Sequence, residues 1–378
     1  MIGAVAFSKI GAFSYAVVMT WAVSRAAGND GVGWVNAIAG LTIVIVGFFA
    51  TFWLDRCDKR NLLLVFDAVS ALVCFAAAAL LVVVPTSNVF WIAVGVAVAT
   101  SVVASLYSPT SRALIPSVVP PAGLERFNSV YTRFGEVSRA AGPAVGTVIL
   151  AGGGADAFAL SRVANGLSFV ISLVLTLPLP PVPAQPVAES SEKNMSFSPG
   201  FRFIATHPAL RSEVLSALAI TFFLTSTTFI LLNRIAQTGA EAYAFGLVKL
   251  CEAIGALVAS IIAERLRRVS VRQLLVPITG VLLLCLGGGI WPTVVALTVL
   301  AVLMTVYNIL LFSRLQRDVP IAKMGRVIAV VTTSSAALMS LGNVFFANLS
   351  NILSTNMLIG GISAALVIVR PAAGLRRR

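Results

Sequence analysis

Two groups of charged side chains stand inside stretches of the sequence that are otherwise apolar. Arg133, Glu136 and Arg139 follow one another at intervals of three residues, and Lys249 and Glu252 are also three residues apart. On a helix, this spacing places each group close to one face. Guanidinium and ammonium groups attract anions, and a carboxyl group between them can bind or release a proton. These residues are therefore the first candidates for substrate binding and proton coupling.

Metal, nucleotide and redox chemistry have no comparable signal. The single histidine, His207, cannot form a histidine metal site alone, and the four cysteines lack CxxC spacing. No phosphate-binding glycine motif occurs. We therefore expect no cofactor and no enzymatic activity, and a proton gradient is the expected energy source.

The composition places these residues in a lipid bilayer. Hydrophobic residues make up 58% of the 378 residues, charged residues only 11%, and the mean hydropathy is +0.97. Such values exclude a soluble enzyme, a secreted disulfide scaffold and a disordered chain. The net charge of +13 is carried between apolar stretches rather than on one polar face, so we expect no nucleic-acid partner.

The long gaps between charged residues predict twelve membrane-spanning helices. Residues 68–111, 273–313 and 327–369 contain no charged side chain, and each gap is long enough for two helices across a core of about 30 Å. We place breaks within these gaps at 85–88, at 287–292 and near 348–351. The other six spans are predicted at 4–24, 32–54, 127–151, 157–179, 212–233 and 241–263.

The basic residues predict the orientation. With the N-terminus inside, 20 of the 27 fall in cytoplasmic loops and tails, against Arg25 and Arg234 outside. This asymmetry predicts a multi-pass protein of the inner or plasma membrane with both termini cytoplasmic. The polar linker separates two halves, so we predict bundles at 1–180 and 212–378 joined by 181–211. Residues 197–207 form either a short interfacial helix or a solvated linker.

The two halves resemble each other in sequence. An acidic residue followed by arginine comes after span 2, as Asp55 and Arg56, and after span 8, as Glu264 and Arg265. A shift of 200 residues aligns Gly142 with Gly342. A duplicated six-helix unit is therefore expected.

The loop after span 2 resembles the signature loop of the major facilitator superfamily, Gly-x-x-x-Asp-Arg-x-Gly-Arg-Arg. Asp55, Arg56, Lys59 and Arg60 match it, whereas Thr51 and Asp58 replace its two glycines. Residues 109–116, 124–128 and 325–327 are further likenesses to the branch of macrolide-efflux and enterobactin-export proteins. The resemblance implies an all-α membrane fold of two pseudo-symmetric six-helix bundles that work by alternating access.

A second motif lies in span 5. Gly142, Pro143 and Gly146 resemble the Gly-Pro-x-x-Gly-Gly motif of the superfamily's antiporters, with Thr147 in place of the last glycine. The alternative interpretation is ordinary close packing of helices at glycine. For Asp67 in span 3 we expect a structural network with Arg112, and we assign both to the conformational machinery with the signature loop.

These features predict a monomeric, proton-coupled exporter of an amphiphilic small molecule, such as a drug, a siderophore or an organic anion. In the implied fold, spans 5 and 8 face each other, and counting helical rise puts Arg139 and Glu252 at the same depth. We therefore expect these two side chains to form an ion pair. The alternative functions are a lysophospholipid flippase of the same fold and a non-transporting sensor or partner subunit.

Overall fold

The computed structural model describes residues 1–54, 58–83, 88–120, 124–152, 156–181, 198–262, 274–287, 289–319 and 321–372. Within these ranges the secondary structure is helical. There are thirteen α-helices and one short 3₁₀ turn in this part of the chain. The helices are α1 Ile2–Leu54, α2 Lys59–Val83, α3 Val89–Val118, α4 Leu124–Gly152, α5 Ala157–Thr176, α6 Ser198–Thr206, α7 Pro208–Leu224, α8 Ser226–Thr238, α9 Ala242–Ile262, α10 Leu275–Leu284, α11 Ile290–Asp318, α12 Ile321–Ile352 and α13 Thr355–Ala372.

The described helices account for the twelve predicted spans. Two spans lie in α1, the pair α7 and α8 forms one, and α2 to α5 and α9 to α13 provide one each. Eight helical stretches in the described part are long and apolar enough to cross a membrane by themselves. The charged helix α4 and the shorter helices α10 and α13 are not among them. The remaining helix, α6, shows that residues 198–206 of the linker are helical.

Two local features interrupt the spans. Within α1, Gly28 has φ 65° and ψ −169°, a conformation that only glycine adopts without strain, and it marks the kink between the first two spans. The helix of span 7 is interrupted at Thr225, where the hydroxyls of Thr225, Ser226 and Thr227 each donate to the carbonyl three residues earlier. Such side-chain bonds compete with the helical ladder and locally distort it.

Two compact units divide the chain. One comprises residues 1–191 together with 242–250, and the other comprises 192–241 together with 251–378. In the first unit, α1 packs against α3, α4 and α5, and α2 packs against α3 and α5. In the second, α12 packs against α6, α7 and α8, and α10 packs against α11 and α13. The bundle boundaries predicted at 180 and 212 remain a prediction.

Equivalent glycines pack in the same way in the two halves. A Cβ on Gly142 of α4 would collide with α1 at Phe13 and at the Ile10 carbonyl oxygen, 3.1 Å away. A Cβ on Gly342 of α12 would collide with Thr225, at the interruption of span 7, and would lie 3.0 Å from the Phe222 carbonyl oxygen of α7. Span 5 thus meets span 1 as span 11 meets span 7, which agrees with the sequence repeat.

Candidate functional site

The charged face of α4 is accessible over the middle of the helix. Arg139 Nε lies 3.5 Å from Glu136 Oε2, and the two side chains are 57% and 36% exposed. Arg133, one turn earlier, is also exposed. Charged side chains on a membrane helix face a protein interior or water rather than hydrocarbon. We therefore expect this face of α4 to border a protein interior or water rather than lipid.

An aromatic side chain positions the arginine of this pair. The Arg139 guanidinium carbon is 5.8 Å from the centre of the Phe13 ring on α1, within the range of a cation–π interaction. Phe13 lies at the close contact of Gly142 with α1. The glycine contact and the arginine position are consequently linked through one phenyl ring.

The antiporter-like motif is a packing surface in this structure. Gly142 and Pro143 are buried, and a Cβ on Gly146 would lie 2.9 Å from the Ser14 carbonyl oxygen of α1. Contacts within the same unit explain why threonine replaces the last glycine of the motif at position 147. The Thr147 side chain packs against Gly246 of α9, and a Cβ built on Gly246 would lie only 2.8 Å from Thr147 Cα. The packing interpretation is therefore realised, and the antiport role stays a prediction.

The charged pair of span 8 falls on α9. Lys249 Nζ is 5.8 Å from the ring centre of Phe245, a side chain only 1% exposed. The Phe245 ring in turn lies 6.1 Å from that of Trp21 on α1. Glu252, one turn further, is half-buried. The ion pair predicted between Arg139 and Glu252 remains a prediction.

Part of the signature loop can be described. Asp58 caps α2, because its Oδ1 accepts a hydrogen bond from the Asn61 amide at 3.0 Å. This bond gives a physical reason for aspartate where the motif has glycine. Lys59 is buried, and Arg60 donates to the carbonyl oxygen of Leu177 at the end of α5. Four other predicted residues lie outside the described residues: Asp55, Arg56, Glu264 and Arg265.

Asp67 occupies the interior of the first unit. Its side chain is fully buried, and Oδ2 accepts a hydrogen bond of 2.7 Å from Ser172 Oγ on α5. The backbone of Arg112 is in α3, but its side chain lies outside the described part of the chain. The predicted network between Asp67 and Arg112 is therefore still a prediction.

Two arginines are buried in the described helices, and the sequence analysis did not identify their environments. Arg162 of α5 is 0% exposed and stacks on the Tyr15 ring, with Nη1 3.9 Å from Cys74 Sγ. Arg234 follows the predicted end of span 7 at residue 233, but α8 continues to Thr238 and Arg234 is buried within it. The outer side predicted for this residue remains a prediction. Its Nη2 donates to the Cys285 carbonyl oxygen at 2.8 Å and to Asn356 Oδ1 at 3.1 Å. The apolar residues on both sides of Arg234 were the feature of the sequence that could have indicated its burial.

Twelve helical spans in the described part of the chain, one of them with an accessible charged face, are typical of secondary transporters. The chain belongs to the Major Facilitator Superfamily, whose family model matches residues 1–343. No curated protein sequence matches it significantly.

The solved structures with a similar fold belong to proteins that are named for different substrates. A mutant of the nucleoside transporter NupG superposes with a TM-score of 0.76 at 13% identity, covering 99% of this chain and 98% of that one. A bacterial homologue of the iron transporter ferroportin gives 0.69 at 14% identity, with 98% and 96% covered. A D-xylose–proton symporter gives 0.67 at 13% identity, with 97% and 95% covered. At these identities the likeness shows the fold and leaves the substrate open.

Proposed function

We propose that this transporter exports an amphiphilic small molecule with an acidic group in exchange for protons. The accessible ion pair of Glu136 and Arg139 on α4 is the observation that carries the proposal. An arginine held by a carboxylate and an aromatic ring can exchange that carboxylate for the acidic group of a substrate. The displaced glutamate is then free to bind a proton.

The charge balance of the candidate residues favours an anionic substrate. Arg133, Arg139 and Lys249 carry three positive charges, against two negative charges on Glu136 and Glu252. One excess positive charge on these residues favours an organic anion over a bare cation. Organic anions, including siderophores, therefore fit this set of side chains better than a cationic drug does.

The direction of transport rests on resemblance. Gly142, Pro143 and Gly146 follow the antiporter motif, and the signature loop resembles that of macrolide-efflux and enterobactin-export proteins. Antiport with an inward proton gradient moves a substrate out of the cell. The proposal accordingly places the protein in the cell membrane, as a monomer, with the proton gradient as its energy source.

Proteoliposomes enclosing a pH-sensitive dye test the proposal. Candidate organic anions, siderophores, cationic drugs and lysophospholipids are added outside vesicles that start without a pH gradient. Proton antiport makes the lumen more alkaline when the substrate enters, whereas symport makes it more acidic. We expect alkalinisation with an organic anion. Acidification, or a response only to lysophospholipid, would contradict the proposal.

Glutamine variants locate the coupling. Glu136→Gln and Glu252→Gln should abolish the pH change while substrate exchange across equal concentrations continues, because neither amide binds a transported proton. Glu241→Gln, at an exposed glutamate before α9, is the matched control and should behave like the wild type. Full proton coupling in both test variants would place the coupling site elsewhere.

A further inference from the structure

Asp67 differs from Glu136 in its surroundings, because within the described part of the chain its side chain contacts a hydroxyl and no cation. Glu136 is paired with Arg139 and is partly exposed, whereas Asp67 is 0% exposed and its Oδ2 bonds to the neutral hydroxyl of Ser172. Among the residues that the structure describes, Oδ1 of Asp67 has no hydrogen-bond partner. Eight residues separate Asp67 from the start of α2, or about 12 Å of helix.

This environment suits a carboxylic acid better than a carboxylate. An ionised side chain inside a membrane protein is costly unless a counter-charge or water compensates it. Among the described side chains, the titratable group that faces Asp67 from the packed helices is Tyr107 of α3, which in turn lies near Tyr131 of α4. The side chain of Arg112, also on α3, lies outside the described part of the chain. On the neighbouring helices α5 and α1, the polar groups at this level are the hydroxyls of Ser172 and Ser8.

Hydroxyl groups continue from Asp67 towards the charged face of α4. Tyr107 Oη lies 3.4 Å from Ser172 Oγ and also contacts Ser8. One turn further along α3, Ser111 Oγ lies 3.2 Å from Tyr131 Oη. The Tyr131 ring centre is 5.7 Å from Lys9 Nζ, which lies against Gly135, the neighbour of Glu136. Hydroxyl groups thus lie at intervals between the interior of the unit and its charged face.

We propose that Asp67 is a proton-binding site of the transport cycle, connected by the hydroxyls of Ser172, Tyr107 and Tyr131 to the charged face of α4. When Asp67 releases its proton, the acid becomes a carboxylate. Each hydroxyl along the path accepts one proton and passes on its own, with water bridging the longer gaps. The proton finally rests on the Glu136 carboxylate or on water beside it. This proposal deepens the proposed proton coupling and rests on it.

Infrared spectroscopy of the full-length protein in lipid bilayers tests the site without any substrate. The probe is the proton itself: the C=O stretching band of a buried carboxylic acid is followed through a pH titration. We expect a titrating band in the wild type that is lost in Asp67→Asn and shifted in Asp67→Glu. Asp156→Asn, at an exposed aspartate before α5, should leave it unchanged. A band that persists in Asp67→Asn, or no such band in the wild type, would overturn the proposal.

A second measurement addresses the path. In Tyr107→Phe the band should remain, but its shift after transfer to D₂O should be slower than in the wild type, because one relay hydroxyl is missing. An unchanged exchange rate in both Tyr107→Phe and Tyr131→Phe would overturn the path. The two proposals can also fail separately. If Asp67→Asn loses the band but transport by the wild type does not depend on protons, the proposed function is contradicted, whereas proton binding at Asp67 is still supported.

Discussion

Arg234 is a buried arginine whose hydrogen bonds join three parts of the second unit. It donates to the Cys285 carbonyl oxygen after α10, to Asn356 of α13 and, through Nη1, to Gln237 of its own helix at 3.1 Å. Removing the guanidinium leaves buried acceptors unsatisfied, at about 1–3 kcal/mol for each. We expect Arg234→Met to lower the midpoint of thermal unfolding of the purified protein.

Arg25 provides the control for that prediction. It is also on the predicted outer side, but its side chain is exposed. Arg25→Met should therefore leave the unfolding midpoint nearly unchanged. Equal midpoints for both variants would show that the hydrogen bonds of Arg234 add little to stability.

Sequence periodicity is informative about single residues only where helical spacing decides the outcome. The grouping of Arg133, Glu136 and Arg139 on one face was predicted because it depends on spacing within one helix, and the pairing of Glu136 with Arg139 follows from it. The burial of Arg162 and Arg234 was not predictable in this way. It depends on Tyr15, Cys74 and other partners that are far away in the chain.

At the scale of helices, the close approach of α4 to α1 depends on the absence of a side chain at one position. A Cβ on Gly142 would overlap Phe13 and approach the α1 backbone. Overpacking of this kind costs about 1–3 kcal/mol. We expect Gly142→Ala to lower the thermal unfolding midpoint, and Gly342→Ala to do the same through the contact of α12 with α7.

Gly95 in the interior of α3 is the matched control, because nothing lies within 4 Å of a Cβ built there. Alanine favours a helix over glycine by about 1 kcal/mol, so Gly95→Ala should be neutral or stabilising. A decrease as large as that of Gly142→Ala would show that glycine flexibility, rather than close packing, is what matters in α4.

The positions of helix breaks could be predicted only in part. The break after α10 falls at the predicted run of glycines, because glycine and proline disfavour continuous helix. The last break was predicted near 348–351, but α12 continues to Ile352 and α13 begins at Thr355. The interruption at Thr225 was missed because it arises from hydroxyl bonds to the backbone, which hydropathy does not reveal.

At the scale of the whole molecule, the twelve spans were predictable because the bilayer limits helix length and excludes charge. The limit of such reasoning is α4, which carries several charged side chains and is not apolar enough to be recognised as a span in the described part. Its assignment relied on length, on the repeat and on the spans around it.

The orientation of the molecule is predicted from its loop charges, and this prediction can be tested independently of any substrate. Exposed Arg202 and Arg211 flank the start of α7, whereas the turn after α8, which ends at Gly239 in a left-handed conformation, continues into Glu241. Positively charged loops remain in the cytoplasm because translocating them is unfavourable.

We expect alkaline phosphatase fused after Gly239 to be active, since this enzyme matures only outside the cytoplasm. Fusions after Thr206 and after Arg378 should be inactive, and green fluorescent protein at Arg378 should fluoresce. The opposite pattern at all three sites would reverse the predicted orientation.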